Sequence, residues 1–221
     1  MKRVTVDEMI DTGEGSAREI AASLTDMQSM NHWFGGEATS LALLRKVLAR
    51  TGQTELRILE TGAGFGEVPL RAGKVLRDCG IQVQVTLLDR VEGHLGRGAP
   101  GVVGDALALP FRDGAFDVVS CCLFAHHLEP KAVLAYANEA LRVARWAVVI
   151  NDLVRHPIHY GLAWAGRVIY RSRLTRHDAP ASVRRAYTVA EMRSMLGASS
   201  AASVEVTQQY LYRMGAIAWK H

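Results

Sequence analysis

Five residues of this 221-residue chain have types and spacing that suggest chemistry most directly: Glu60, Gly62, Gly64, Gly66 and Asp89. The stretch Arg57-Ile58-Leu59-Glu60-Thr61-Gly62-Ala63-Gly64-Phe65-Gly66-Glu67 is a short apolar run that ends in an acid and alternating glycines. It reads as a strand, a tight turn and a helix start, the place where an α/β sheet accepts a nucleotide-like ligand. Glycines there let backbone approach a ligand where a Cβ would collide. Asp89 closes a second apolar run 23 residues after Gly66. An acid at that distance can accept hydrogen bonds from both ribose hydroxyls of an adenosine, or it can cap the next helix. The dinucleotide pattern G-x-G-x-x-G is not met, because Glu67 occupies the position of its third glycine. A carboxylate there suits the helix dipole but is a poor neighbour for a pyrophosphate.

The elements that must hold these residues follow from periodicity and punctuation. Ser16 and Glu19 have capping-box form, and Ile20, Leu24 and Met27 recur at helical spacing, which predicts an amphipathic helix. Asn31-His32-Trp33-Phe34-Gly35-Gly36 breaks it, and a second helix is expected over 40–50, before Gly52. Both helices precede the first strand and are expected to cover the ligand cleft, with Trp33 and Phe34 either lining it or packing between the helices. A helix over 68–79 should turn Val68, Ala72, Val75, Leu76 and Cys79 inward, and strands are expected over 83–89, 115–123 and 144–150, with a short strand and loop over 102–107. The last is wholly apolar, as in a parallel sheet buried on both faces. Pro130 starts a helix that runs to about 141. Residues 151–187 depart from the α/β alternation as an insertion. Thr188 and Glu191 cap another helix, and 204–211 with 213–219 read as an antiparallel pair.

Two further stretches carry a family likeness. Gly104-Asp105-Ala106 with Leu109-Pro110-Phe111, and Phe116-Asp117-Val118-Val119 leading into His126-His127-Leu128, follow the glycine turn and Asp89 in order. Together they resemble the motifs of the class I S-adenosylmethionine-dependent methyltransferases, over about 56–219. The resemblance implies a single Rossmann-like, doubly wound α/β domain with a seven-stranded, mostly parallel sheet and an antiparallel C-terminal hairpin. Its parts would be lid helices over 1–52, a cofactor-binding core over 53–150, a substrate-side insertion over 151–187, and a terminal helix and hairpin over 188–221.

The same resemblance implies S-adenosylmethionine as cofactor and S-adenosylhomocysteine as product. Glu60 and the backbone of Gly62, Ala63, Gly64 and Gly66 would surround the methionine and ribose. Asp89 would hold the ribose hydroxyls, Arg90 would flank the adenine, and Asp105, Ala106 and Leu107 would bind it. Cys121 and Cys122 would approach the methionine end. The reaction would be in-line displacement of the sulfonium methyl, catalysed mainly by positioning. An acceptor that carries a proton, such as a phenol with a pKa of about 10, would gain from a histidine base. His126, His127, His156 and His159 are candidates for that base, and the His-His pair has a helix-start packing role as its alternative. Trp33, Phe34, Asp152, Arg155, His159 and Trp164 are candidates for the acceptor pocket. Their apolar and aromatic surroundings suggest a flat, phenolic, polyketide-like or quinone-like acceptor. Asn151-Asp152 is similar to the metal ligands of catechol-type methyltransferases, but the order is reversed and no third carboxylate is evident, so no metal is expected.

Composition bounds the alternatives. The chain is 49% hydrophobic and 22% charged, as in globular proteins generally. No run approaches 18 apolar residues, so no membrane span is expected, and with no evident leader a cytoplasmic monomer or homodimer is expected. Cys79, Cys121 and Cys122 form neither a disulfide framework nor a metal spacing and read as small buried hydrophobes. From Arg142 to Arg193 there are ten arginines, no lysine and three acids, so this segment carries +7 and the rest −3. That leaves a rival reading, a catalytically silent methyltransferase-like domain that binds RNA or a protein through this segment. Nucleic-acid methylation is disfavoured, because there is neither an Asn-Pro-Pro-Tyr motif nor a Pro-Cys nucleophile.

Overall fold

The structure is a computed structural model that describes residues 1–221 apart from Asp11, Glu14 and Arg97. Strands β1 (Glu55–Thr61), β2 (Gln82–Asp89), β3 (Gly101–Val103), β4 (Phe116–Cys122), β5 (Ala144–Leu153), β6 (Ser203–Gln209) and β7 (Arg213–Trp219) form one seven-stranded sheet in the order β3-β2-β1-β4-β5-β7-β6. The first five strands are parallel, and β7 runs antiparallel to both β5 and β6. This is the expected fold class. All five parallel strands deliver their carboxyl ends to one edge, where Glu60, Asp89, Cys122 and Asp152 lie.

The helices are α1 (Ala17–Trp33), α2 (Gly36–Thr51), α3 (Glu67–Asp78), α4 (Pro130–Val143), α5 (Pro157–Ala165), α6 (Arg173–Arg185) and α7 (Val189–Gly197). Successive strand residues alternate between two cores. Leu59, Val119, Val148 and Ala218 meet α4 and α7 on one face, while Ile58, Val118, Ala147 and Ile217 meet α2 and α3 on the other. Period-2 alternation with both sides apolar explains why β1, β4, β5 and β7 read as almost continuous apolar runs.

Helices α1, α5 and α6 pack together at the carboxyl edge of the sheet. Polar contacts dock α1 on α6. Asp26 is buried and accepts from the Arg171 and Ser172 amides at 2.9 and 3.0 Å, and the Thr175 hydroxyl lies 3.0 Å from that of Ser23. The apolar stripe Ile20, Leu24 and Met27 is therefore left to face the cleft rather than the core.

Several sequence expectations change here. Helix α2 starts at Gly36 rather than residue 40, and β3 stops at Val103. Strand β5 runs on to Leu153, so Asn151 and Asp152 are strand residues and not the opening of an insertion. Val75 is 39% exposed and Cys79 is exposed, because the buried stripe of α3 narrows to Val68, Ala72 and Leu76 with Pro69 and Gly73 beside it. Cys79 is thus not a buried hydrophobe, whereas Cys121 is. Trp33 ends α1 at 71% exposure and does not pack between the helices.

The arginine-rich segment is largely spent on internal ties. Arg155 is buried and donates to the Met1 and Ala186 carbonyls and to Glu191. Arg185 donates to the Val6 and His127 carbonyls, and Arg142 reaches Glu139 and Asp113. With Arg3 on Glu129 and the Met9 and Ile10 amides on Asp178, these contacts lay the N-terminal segment across the carboxyl edge of the sheet. Among the described residues no helix is long and apolar enough to cross a membrane.

Asn151 joins this edge to α2 by donating to the Gly36 carbonyl at 2.7 Å and the Ser40 hydroxyl at 2.8 Å. Asn151→Ala should cost about 1–3 kcal/mol by removing two buried hydrogen bonds. Urea unfolding followed by circular dichroism measures this, and an unchanged midpoint would remove the tie from the account.

Candidate active site

The glycine turn joins β1 to α3, and Gly62, Gly64 and Gly66 all have positive φ, at 59°, 49° and 67°. The three are not equivalent. A Cβ on Gly62 would lie 2.3 Å from the Phe124 ring and one on Gly66 2.5 Å from Leu87, whereas one on Gly64 would meet nothing within 4 Å. Gly62 and Gly66 are fixed by the protein's own packing, and Gly64 alone faces open space. Asp89 braces the turn from β2, since its carboxylate accepts from the Gly64 amide and the Val91 amide, each at 3.0 Å. Gln28 of α1 donates to Glu67, which ties the covering helix to the head of α3.

A cavity of about 230 Å³ lies over this turn. Of the residues singled out from the sequence, Glu60, Gly62, Ala63, Gly64, Gly66, Asp89 and Cys122 line it. Ile10, Ile20, Leu24, Met27, Gln28 and His94 line it as well, and sequence reasoning did not single them out as site residues. The helical stripe of α1 was the available signal for Ile20, Leu24 and Met27; Ile10 and His94 had none. Arg90, Asp105, Ala106, Leu107 and Cys121 lie outside the lining. Asp105 turns back to accept from the Leu107 amide at 2.8 Å, and Cys121 is buried behind the wall. Burial lifts the Glu60 carboxyl to about 7, against the Ser120 hydroxyl and the Cys122 amide that hydrogen-bond it.

A second, mostly apolar cavity of about 380 Å³ adjoins the first, and Met27 and Leu123 line both. Leu123 has φ of 56°, a strained value for a leucine, at the point where the cavities meet. Phe34, Leu153, Leu162, Ile169 and Tyr170 supply much of the apolar wall, and Glu8, His126, His127, His159, Asp178 and Arg213 supply the polar groups.

The histidines differ sharply in their surroundings. Asp152 accepts from the His126 amide at 2.9 Å and meets the His126 Nδ1 at 2.6 Å, while Glu8 faces Nε2 at 3.5 Å. Burial opposes the charge on His126, but Asp152 and Glu8 together outweigh it and raise its pKa to about 10. His159 Nδ1 lies 2.9 Å from the Val154 carbonyl, which can only accept, so Nδ1 carries the hydrogen and Nε2 keeps its lone pair. Burial lowers the pKa of His159. His156 caps α5 by accepting from the Ile158 amide and stacks on Tyr212, outside the cavity. Trp33, Arg155 and Trp164 do not line it either, and Asp152 stands behind His126. Arg213 is one of the polar groups the sequence missed, with Glu8 and Asp178. It is buried, donates to Asn31 at 2.6 Å and keeps one guanidinium nitrogen, Nη1, without a partner among the described residues.

Residues 59–147 match a sequence family described as a methyltransferase domain. No curated protein matches the chain in sequence. Among solved structures, it is similar to the plantazolicin methyltransferase BamL in complex with a triazolic desmethylPZN analog and SAH, with 15% identity, TM-score 0.67 and coverage of 93% of this chain and 91% of that one. A SAM-dependent methyltransferase from Aquifex aeolicus gives 18% identity and TM-score 0.59, over 92% and 98%. The CMeT domain of the citrinin polyketide synthase gives 13% and 0.55, with 75% of this chain covering 46% of that one. At such identities these likenesses speak to the fold. With the family match over 59–147, the sheet order and the glycine turn, they give this chain the fold of the class I S-adenosylmethionine-dependent methyltransferases. The chain is an enzyme that uses S-adenosylmethionine to methylate an acceptor.

The unequal glycines give a test. Gly64→Ala should cost about 1–2 kcal/mol, the strain of a side chain at positive φ. Gly62→Ala and Gly66→Ala add collisions with Phe124 and Leu87 and should cost about 1–3 kcal/mol more. Thermal denaturation of the three variants ranks them, and Gly64→Ala as the least stable would contradict this geometry.

Proposed function

We propose that the enzyme transfers the sulfonium methyl of S-adenosylmethionine to an oxygen or carbon of a small, mostly apolar metabolite of phenolic, polyketide-like or quinone-like type. One observation carries this reading: the apolar cavity and the glycine-turn cavity share Met27 and Leu123, so an acceptor in one meets a donor in the other without crossing bulk solvent. In-line transfer needs mainly that contact and alignment. The fold likeness to a polyketide synthase CMeT domain and to a plantazolicin methyltransferase accords with a metabolite acceptor. The alternative of a silent binding domain is weakened by the arginines, since Arg142, Arg155 and Arg185 are engaged inside the protein.

In this reading Glu60 receives the ammonium of the methionine moiety, Gly64 gives the backbone its close approach, and Asp89 binds the ribose hydroxyls while bracing the turn. Arg90, Asp105, Ala106 and Leu107 serve the adenine side, with Cys122 at the methionine end. The buried guanidinium of Arg213 favours an acceptor with an anionic or strongly polarised oxygen. His159 takes the acceptor's proton, because its Nε2 lone pair is preserved and its depressed pKa keeps it neutral at physiological pH. His126 has Nδ1 on Asp152 and Nε2 facing Glu8, which suits it to positioning rather than to proton abstraction.

Calorimetric titration with S-adenosylhomocysteine, with NADH as control, tests the donor site. A protonated Glu60 cannot pair with the ligand's ammonium, so affinity should rise through pH 7 and be about tenfold tighter at pH 8 than at pH 6. Glu60→Gln should flatten that dependence. Asp89→Ala should weaken binding by about 1–3 kcal/mol, and an unchanged affinity would refute its ribose role. With phenolic acceptors, His159→Ala should lower kcat by about 10²-fold or more and leave S-adenosylhomocysteine affinity unchanged. Because the His159 pKa is depressed, the acid limb of the wild-type kcat profile should lie below about 6.5 and be absent from the variant. A limb retained by His159→Ala would assign the base elsewhere.

A further inference from the structure

Glu8, His126 and His127 come together on the wall of the apolar cavity from distant parts of the chain. One ligand atom from each lies within 4.8 Å of the other two. His126 Nε2 is 3.5 Å from one Glu8 oxygen and His127 Nε2 is 4.0 Å from the other. Nitrogen and oxygen ligands at the usual 2.0–2.2 Å from a tetrahedral ion lie about 3.4 Å apart, so small side-chain movements would bring all three onto one centre. Glu8 and His126 are buried, which separates this cluster from an ordinary surface group of acids.

The surroundings are those of a metal ligand set. Asp152 meets His126 Nδ1 at 2.6 Å, which fixes the ring and aims Nε2 at Glu8 and His127, so an ion bound there would displace the Nε2 proton. A carboxylate behind a ligating histidine both orients it and raises its basicity. Arg3 and Arg185 donate to the His126 and His127 carbonyls, at 3.3 and 3.2 Å, and hold the pair from its backbone side. The Ser182 hydroxyl donates to Glu8 at 2.8 Å. Two neutral imidazoles with the Glu8 and Asp152 carboxylates would balance a divalent charge. Asn151 and Asp152, on which the sequence expectation of no metal turned, are not part of the set: Asn151 faces Gly36 and Ser40, and Asp152 supports His126.

We infer that Glu8, His126 and His127 bind one divalent transition-metal ion, with open coordination positions facing the apolar cavity. Two imidazoles and a carboxylate suit Zn²⁺ or Fe²⁺ better than Mg²⁺ or Ca²⁺. Resting on the function proposed above, the ion would hold an oxygen of the acceptor, which narrows the acceptor to one with a phenolic, enolic or carbonyl oxygen near the methylated atom.

The test is titration of chelator-treated full-length protein with Zn²⁺, and with Co²⁺ for its visible absorption. One equivalent should bind at micromolar concentration or below, and Co²⁺ should show the d–d bands of a low-coordinate nitrogen and oxygen site. Glu8→Gln and His127→Ala should each weaken Zn²⁺ binding at least tenfold, and Asp152→Asn by about 10–100-fold. S-adenosylhomocysteine binding, retained in each variant, certifies the fold. His32→Ala, which alters an exposed histidine on α1, should change nothing. Absence of stoichiometric binding, or binding that survives in both Glu8→Gln and His127→Ala, overturns the site and leaves His126 as an ion-paired structural histidine. Stoichiometric Zn²⁺ with no methylation, at oxygen or carbon, of any phenolic, enolic or carbonyl acceptor would instead keep the site and remove the proposed function.

Discussion

Asp152 is the contact on which this active-site edge depends. It sits near the end of β5, buried, and its two oxygens take the His126 amide, the His126 Nδ1 and the Leu153 amide. A carboxylate in that setting would be costly if unpaired, and burial does push its pKa upward. The His126 charge and the hydrogen bonds around it outweigh burial and hold the Asp152 pKa below the ordinary carboxylate value. The result joins the loop after β4 to the end of β5 and aims the His126 ring at Glu8. Glu8 in turn belongs to the N-terminal segment, so three distant parts of the chain meet at one buried charge cluster.

The rest of the edge follows from parallel pairing. β1, β4 and β5 lie side by side, so Glu60, Cys122 and Asp152 emerge at the same end whatever loops follow them. Two cavities form there because α1 is docked through Asp26, Ser23 and Gln28, which leaves Met27 free to line both. The polar docking of α1 and the apolar lining are thus two faces of one helix. Leu123 is the opposite wall at the junction, held at positive φ while its amide donates to the Asn151 carbonyl at 2.9 Å.

Charge that looked like an interaction surface has an internal use. Arg155 and Arg185 are buried, and they satisfy carbonyls of the N-terminal segment and of the loops it crosses. Arginine suits this task because its planar fork serves several acceptors at once without losing its charge. The same segment places Glu8 in the larger cavity and Ile10 in the smaller, so the wall of each site includes residues that precede the first helix.

Local pattern by itself determined the sheet, the glycine turn, the caps at Ser16 and Thr188, and the places of Glu60, Gly64 and Asp89 at the carboxyl edge of the first two strands. Each of these is set by neighbours within a few positions, through alternation, capping geometry or the need for a residue without a Cβ. The tertiary structure decided what such patterns cannot encode. It lowered the pKa of His159 by burial and fixed its tautomer through the Val154 carbonyl, and it turned Arg213 into a buried cation on the cavity wall. It also placed Trp33, Arg155 and Trp164 away from the cavity although their residue types suit an acceptor pocket. Val75 and Cys79 fall outside the α3 stripe for the same reason: periodicity gives the angle around a helix, but where the neighbouring layer ends is fixed only when the layers pack. Glu8 lies far in sequence from the adjacent His126 and His127, and nothing local relates it to them; only the crossing of the N-terminal segment over the carboxyl edge of the sheet brings their ligand atoms together.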